Sequence, residues 1–155
     1  MAESIALRDE VAAKMKDAMK SGEKVRVGAL RLVMAALKER EIEARGGGKI
    51  VSRADELGLL TKMVKTRQET LAIYQQAGRV DLAAQESAEI AVIGEFLPKQ
   101  MGEAEVIAAA KAAVASTGAA SLKDMGKVVA ALKETYPGQM DFAKASAIVK
   151  ALLTA

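Results

Sequence analysis

Glu95-Phe96-Leu97-Pro98-Lys99-Gln100-Met101 is the stretch on which the reading of the fold turns. Pro98 fixes its own φ, has no N–H to donate and pushes Leu97 away from α geometry, so a helix arriving from the N-terminal side ends at or before it. The patterning on both sides is helical. The stretch therefore divides the 155 residues into an N-terminal unit, 1–97, and a smaller tail, 98–155, and is a candidate hinge between them. Whether the joint bends or is locked depends on what Phe96 and Leu97 pack against.

Composition sets the class. With 51% hydrophobic residues the chain can build packed cores, while 3% aromatic residues and two prolines beside abundant Ala, Leu, Lys, Glu and Met mark helix formers rather than strands. The expectation is all-α. There is no cysteine and no histidine, which removes disulfides, thiol nucleophiles, cysteine-held zinc or iron–sulfur sites, Ser-His-Asp catalysis and carboxylate–histidine di-iron chemistry. No run approaches the roughly 20 apolar residues that span a bilayer, and Met1–Leu7 lacks the pattern of a signal peptide, so the expectation is a cytoplasmic protein with no membrane partner.

Upstream of the stretch, Ala83, Ile90, Ile93 and Leu97 repeat at helical intervals, with Asp81 as the expected N-cap. The helix before it spans about 53–76, with Leu57, Leu60, Val64, Leu71 and Tyr74 inward. Ser52 and Asp55 open it as a capping-box variant and Gly78 closes it. Gly46-Gly47-Gly48 has neither the preceding strand nor the Gly-Lys-Ser/Thr ending of a phosphate loop and reads as a flexible connection. A further helix over about 24–45 carries Val27, Leu30, Val33 or Met34, Leu37 and Ile42 on its apolar side. Gly28, Ala35 and Ala36 point to close contact with a neighbour. Arg31, Lys38 and Arg45 stand seven apart, interrupted by Glu39, Glu41 and Glu43, as on a solvated, salt-bridged face. The first helix, from about Glu3 to Lys20, places Leu7, Val11, Met15 and Ala18 or Met19 inward and breaks at Ser21-Gly22.

Downstream, Gly102 with Glu103 and Glu105 opens a helix that buries Val106, Ile107, Ala110 and Val114 and ends at Gly118. Ser121 and Asp124 open the next, with Leu122, Met125, Val128 or Val129, and Leu132 inward. Tyr136-Pro137-Gly138-Gln139 is a turn, and Asp141 caps a last helix carrying Phe142, Ala145, Ile148, Val149 and Leu152. The eight methionines are scattered along apolar stripes and read as core filling. The fold expected is an N-terminal four-helix unit followed by a small three-helix tail whose core is near the lower limit for independent folding.

The excess positive charge sits in the tail, which has seven lysines against five acids, whereas residues 1–97 have 16 basic against 15 acidic residues. Within the tail, Ser121-Leu122-Lys123-Asp124-Met125-Gly126-Lys127 stands out. A glycine inside a helix costs about 1 kcal/mol relative to alanine, so Gly126 has a geometric reason: another helix packed closely, or a ligand backbone approaching the same surface. Lys123 and Lys127 share a face in the first turns, where the helix dipole disfavours cations. They are either solvated lysines or the two sides of a phosphate site. No carboxylate spacing marks an acid/base pair, and no metal or cofactor site is expected.

Several segments together resemble the GatB/YqeY family: Leu30–Lys38, Met63–Arg67, Ala77–Ala83, Glu89–Ile93 running into Phe96–Met101, and Lys123–Val129. The resemblance covers nearly the whole chain. It implies a two-part helical protein whose tail is similar to the GatB tail domain of the tRNA-dependent amidotransferase, a tRNA-contacting appendage in an enzyme whose amide transfer is done by other domains. Lys123, Gly126 and Lys127 fall on the corresponding motif, and Lys133 and Lys144 are further phosphate contacts on this reading. The function expected is a non-catalytic tRNA-binding or amidotransferase-associated protein, with tRNA, an amidotransferase or a translation-related protein as partner. Alternatives are a protein–protein adaptor docking through its N-terminal helices, or a component of a glutamine-dependent carbon–nitrogen ligase. Against the last, the chain has no amidase-like serine region and no evident ATP or magnesium site.

Overall fold

The computed structural model describes residues 6–154, which contain seven α-helices and one 3₁₀ turn and no strand. They fall into two compact units, one made of the described residues up to Leu97 and one beginning at Pro98.

The first unit holds α1 (Leu7–Lys20), α2 (Lys24–Gly46), α3 (Arg53–Gln76) and α4 (Val80–Gly94). The expected start of α1 at Glu3 lies outside the described residues. Its core gathers Leu7 and Val11 of α1, Leu30, Val33 and Leu37 of α2, Leu60 of α3, and Val92 and Ile93 of α4. Met15, Met34 and Met63 pack against this core as expected of gap-fillers, but Met19 is exposed. Ion pairs join the helices around it: Arg8 to Glu41 at 2.5 Å, Arg53 to Glu10 at 3.3 Å, and Arg67 to Glu86 at 3.5 Å and to the buried Glu89.

Two expectations for α2 are corrected. Ile42 is exposed, and the core position that continues the stripe is Ala44, because a five-residue step from Leu37 rotates by about 500° and so lands well off the buried face. Gly28 touches no neighbour that a Cβ would meet, and the small residue fully buried in the middle of the stripe is Ala29. The Gly46–Gly48 segment is an ordered helix end rather than a loose loop. Gly48, at φ 69°, lets the Lys49 N–H reach the Ala44 carbonyl at 2.7 Å and its own N–H reach that of Arg45 at 3.0 Å, the Schellman arrangement. Helices α1 and α3 end the same way at Gly22 and Gly78. The Ser52–Asp55 capping box forms with both hydrogen bonds, at 3.0 and 3.1 Å. Helix α4 begins at Val80 with Arg79 at its N-cap, which leaves Asp81 inside the first turn, where its charge still complements the dipole.

The second unit holds α5 (Glu103–Thr117), the 3₁₀ turn Leu122–Asp124, α6 (Met125–Thr135) and α7 (Phe142–Thr154). Its core is Val106, Ala109, Ala110 and Ala113 of α5, Val128 and Leu132 of α6, Met140, and Ala145 and Val149 of α7. Leu122, expected inward, is 47% exposed because the tighter 3₁₀ turn rotates it off the buried line of α6. The Pro137-Gly138 turn forms with Gly138 at φ 72° and a 3.2 Å bond from the Gln139 N–H to the Tyr136 carbonyl. Asp141 accepts from the Ala143 N–H at 2.9 Å at the start of α7.

The stretch around Pro98 is anchored on each side within its own unit. Phe96 is buried in the first core, Leu97 packs against it, and Glu95 pairs with Arg26 at 2.6 Å. Lys14 lies 4.9 Å from the centre of the Phe96 ring. On the tail side, Gln100 donates to the Gly138 carbonyl at 2.8 Å and the Met101 N–H to the Gln139 carbonyl at 2.9 Å. In sequence, Pro98 and Lys99 separate the two sets of anchors.

Candidate nucleic-acid interface

Asp124 builds the start of α6. Its carboxylate accepts the Ala120 N–H at 2.9 Å and the Ser121 N–H at 3.3 Å, and these bonds, helped by the charge of Lys127, hold its pKa below the usual carboxylate value. Two N–H groups at this helix end are thus already satisfied by the protein's own carboxylate. An anion arriving here would be held by the lysine ammonium groups rather than by those N–H groups.

Lys123, Gly126 and Lys127 are all exposed within about one turn. Buried Val128 and Leu132 occupy the opposite side of α6, so the three residues face solvent by the ordinary rotation of the helix. A Cβ added at Gly126 would meet nothing within 4 Å. Close packing of another helix, one of the two reasons a glycine could stand there, is therefore removed. What is left is a bare patch of helix backbone flanked by two cations.

Lys133 lies seven residues beyond Gly126 and so on nearly the same line of α6, with its ammonium 5.9 Å from the centre of the Phe142 ring. Lys144 stands elsewhere. It borders a hollow of about 520 Å³ together with Glu103, Asp141 and Gln100, a lining that includes none of Lys123, Gly126 and Lys127. The two acids beside it make that hollow a poor place for phosphate. Of the five residues read from the sequence, four thus lie along α6 and the turn that opens it, and one belongs to a different, mixed-charge surface.

The N-terminal unit has hollows of its own. One of them, about 530 Å³, is bordered by Arg8, Arg45 and Lys49 and equally by Asp9, Glu41 and Glu56. Its charges are largely spent on each other: the Arg8 hydrogen bond holds the Glu41 carboxyl below its usual range, while burial pushes Glu56 up. No group of three or more acids among the described residues could hold a metal ion. No helix among them is long and apolar enough to cross a membrane. The Ser121-to-Asp124 spacing read from the sequence forms the expected box at this helix end; the additional bond from the Ala120 N–H is what the spacing did not show.

Comparison with known proteins places these features in a family context. The model of the family described as Yqey-like protein matches residues 8–153 of this chain. Among curated proteins the chain is similar to Uncharacterized protein C22F3.15 of Schizosaccharomyces pombe, 30% identical over 86 residues that cover 56% of this chain and 68% of that protein. The name of that relative carries no activity.

Proposed function

The chain belongs to the YqeY-like family, and on that premise we propose that it is a non-catalytic, cytoplasmic tRNA-binding or tRNA-amidotransferase-associated protein, with tRNA contact the reading its tail favours. Residues 98–155 act as a separate tail domain that makes the nucleic-acid contact, and residues 1–97 form a helical domain that carries it. The phosphate contacts come from Lys123 and Lys127, with Lys133 extending the line and Lys144 at most peripheral.

The observation that carries this reading is Gly126. It weakens its helix, packs against nothing, and opens the backbone between two lysines set where the helix dipole disfavours them. A sugar–phosphate backbone lying along α6 would use all three features together: phosphate oxygens meet the ammonium groups while the ribose approaches where a Cβ is missing.

The test is binding of unfractionated tRNA to the full-length chain by fluorescence anisotropy across a salt series. Two phosphate contacts give a fall in log affinity of roughly 0.9 per contact for each tenfold rise in salt. Lys123→Glu with Lys127→Glu makes that slope shallower and removes most of the affinity. Equal binding by this variant and the native chain would defeat the proposal.

A further inference from the structure

Helix α2 has a second regularity, on the side away from the core. Val25 and Leu32 recur at seven residues, as do Gly28, Ala35 and Ile42, and the two sets are offset by three. Together they form one seam of heptad spacing along about five turns of helix. The seam lies opposite buried Val27, Leu30, Val33 and Leu37. Val25 is 62% exposed, Leu32 42% and Ile42 68%, and Gly28 and Ala35 are exposed as well. Scattered apolar residues on a surface need no explanation, but a line at coiled-coil spacing broken at a single position does. Gly28, with empty space where its Cβ would be, and Ala35 make a shallow groove between the larger side chains.

One edge of this seam is cationic. Lys24, Arg31 and Lys38 repeat every seven residues beside it, all exposed and without an ion-pair partner among the described residues. The acids that interrupt this rail in the sequence do not neutralise it. Glu41 is taken by Arg8 and Arg45, and Glu43 lies 3.9 Å from Arg40. Glu39 alone occupies the seam itself, at the position that follows Val25 and Leu32 in register.

We propose that the outer face of α2 docks an acidic amphipathic helix of a partner protein. Apolar residues of that helix lie along Val25, Leu32 and Ile42, its backbone approaches at Gly28 and Ala35, and its acids face Lys24, Arg31 and Lys38. A single basic residue opposite Glu39 sets the register, as one polar position does in paired helices. A second copy of α2 fits less well, because antiparallel pairing would set the two cationic rails against each other and parallel pairing would set Glu39 against Glu39. Nucleic acid fits less well too, because the centre of the face is apolar.

The probe is a fluorescein-labelled three-heptad peptide with leucine at the seam positions except one central lysine, and glutamate at the flanking positions. Its control carries lysine at those flanking positions instead. Added to the full-length chain, the acidic peptide binds in the micromolar range and at least tenfold tighter than the basic one. Arg31→Glu with Lys38→Glu reverses that preference, and Leu32→Asp weakens both peptides while leaving the thermal melt in place, since Leu32 is outside the core. No binding, or equal binding of the two peptides, overturns the proposal. So does a dimer in sedimentation that Leu32→Asp dissolves, which would assign the face to a second copy. Loss of tRNA binding in the Arg31/Lys38 variant would assign it to nucleic acid.

Discussion

The two units use the same devices to start and stop helices but fill their interiors differently. The N-terminal core is built on Leu7, Leu30, Leu60, Ile93 and the valines at 11 and 33, all fully buried. In the tail the fully buried large side chains are Leu132, Val128 and Val149, and the rest of the core is mostly alanine at 109, 110, 113 and 145. Alanine lets helices approach closely but removes less apolar area from water, so the tail rests on a few residues. The difference teaches where each unit can spend its surface. Around the first core, the charges between helices are tied up in pairs while Lys24, Arg31 and Lys38 stand exposed on the outer face of α2; at the start of α6 in the tail, Lys123 and Lys127 face solvent.

The contrast is broken most directly by matched truncations. Leu30→Ala and Leu132→Ala each cost about 2–5 kcal/mol. Leu132→Ala is expected to unfold the tail while α1–α4 stay protected in hydrogen exchange, and Leu30→Ala to leave its unit folded with a lower melting point. Equal tolerance in the two units would remove the distinction. The next effect lies in the N-terminal unit, where Glu89→Leu leaves Arg67 with Glu86 alone. A loss of about 1–3 kcal/mol in urea unfolding is expected, as for a buried charge-assisted bond whose partner is deleted.

Gly126→Ala is smaller and more informative. Because nothing blocks the added methyl, the substitution stabilises α6 by about 0.5–1 kcal/mol, read as a higher tail melting temperature. It also weakens tRNA binding if the backbone is approached there. The smallest effect is on pH. Bonds from the Ala120 and Ser121 N–H groups hold the Asp124 pKa below its unfolded value, so its contribution is complete above the ordinary carboxylate range and is lost as pH falls through the lowered value. Asp124→Asn should flatten the acid limb of a tail-unfolding profile. Glu56 in the N-terminal unit has the opposite sign. Its pKa is raised, so whatever it contributes is present at low pH and fades as pH rises through the folded value.

Much of this was readable from the chain because helix ends are written in residues with strong local physics. Gly22, Gly78 and Gly118, the Ser52–Asp55 box, Asp141 and Pro98 all act where their chemistry places them. What was less legible depends on rotation about a helix axis. Ile42 and Leu122 read as core and face solvent, because a helix longer than a few turns or opened by a 3₁₀ turn drifts from a counted stripe. The reason for Gly126 could not be read at all without knowing what surrounds it. The site suffered in the same way: Lys123, Gly126, Lys127 and Lys133 follow α6 and its opening turn, whereas Lys144 stands among acids on another surface, a separation that requires three-dimensional neighbours.

The central claim is that the tail spends its free surface on tRNA. It is tested by the affinity of the full-length chain for tRNA at low salt, compared with that of the Lys123→Glu, Lys127→Glu variant at matched tail stability. The account predicts a loss of at least tenfold, equivalent to about 1.4 kcal/mol or more, and a shallower salt dependence. Unchanged affinity and slope in a folded variant would contradict it.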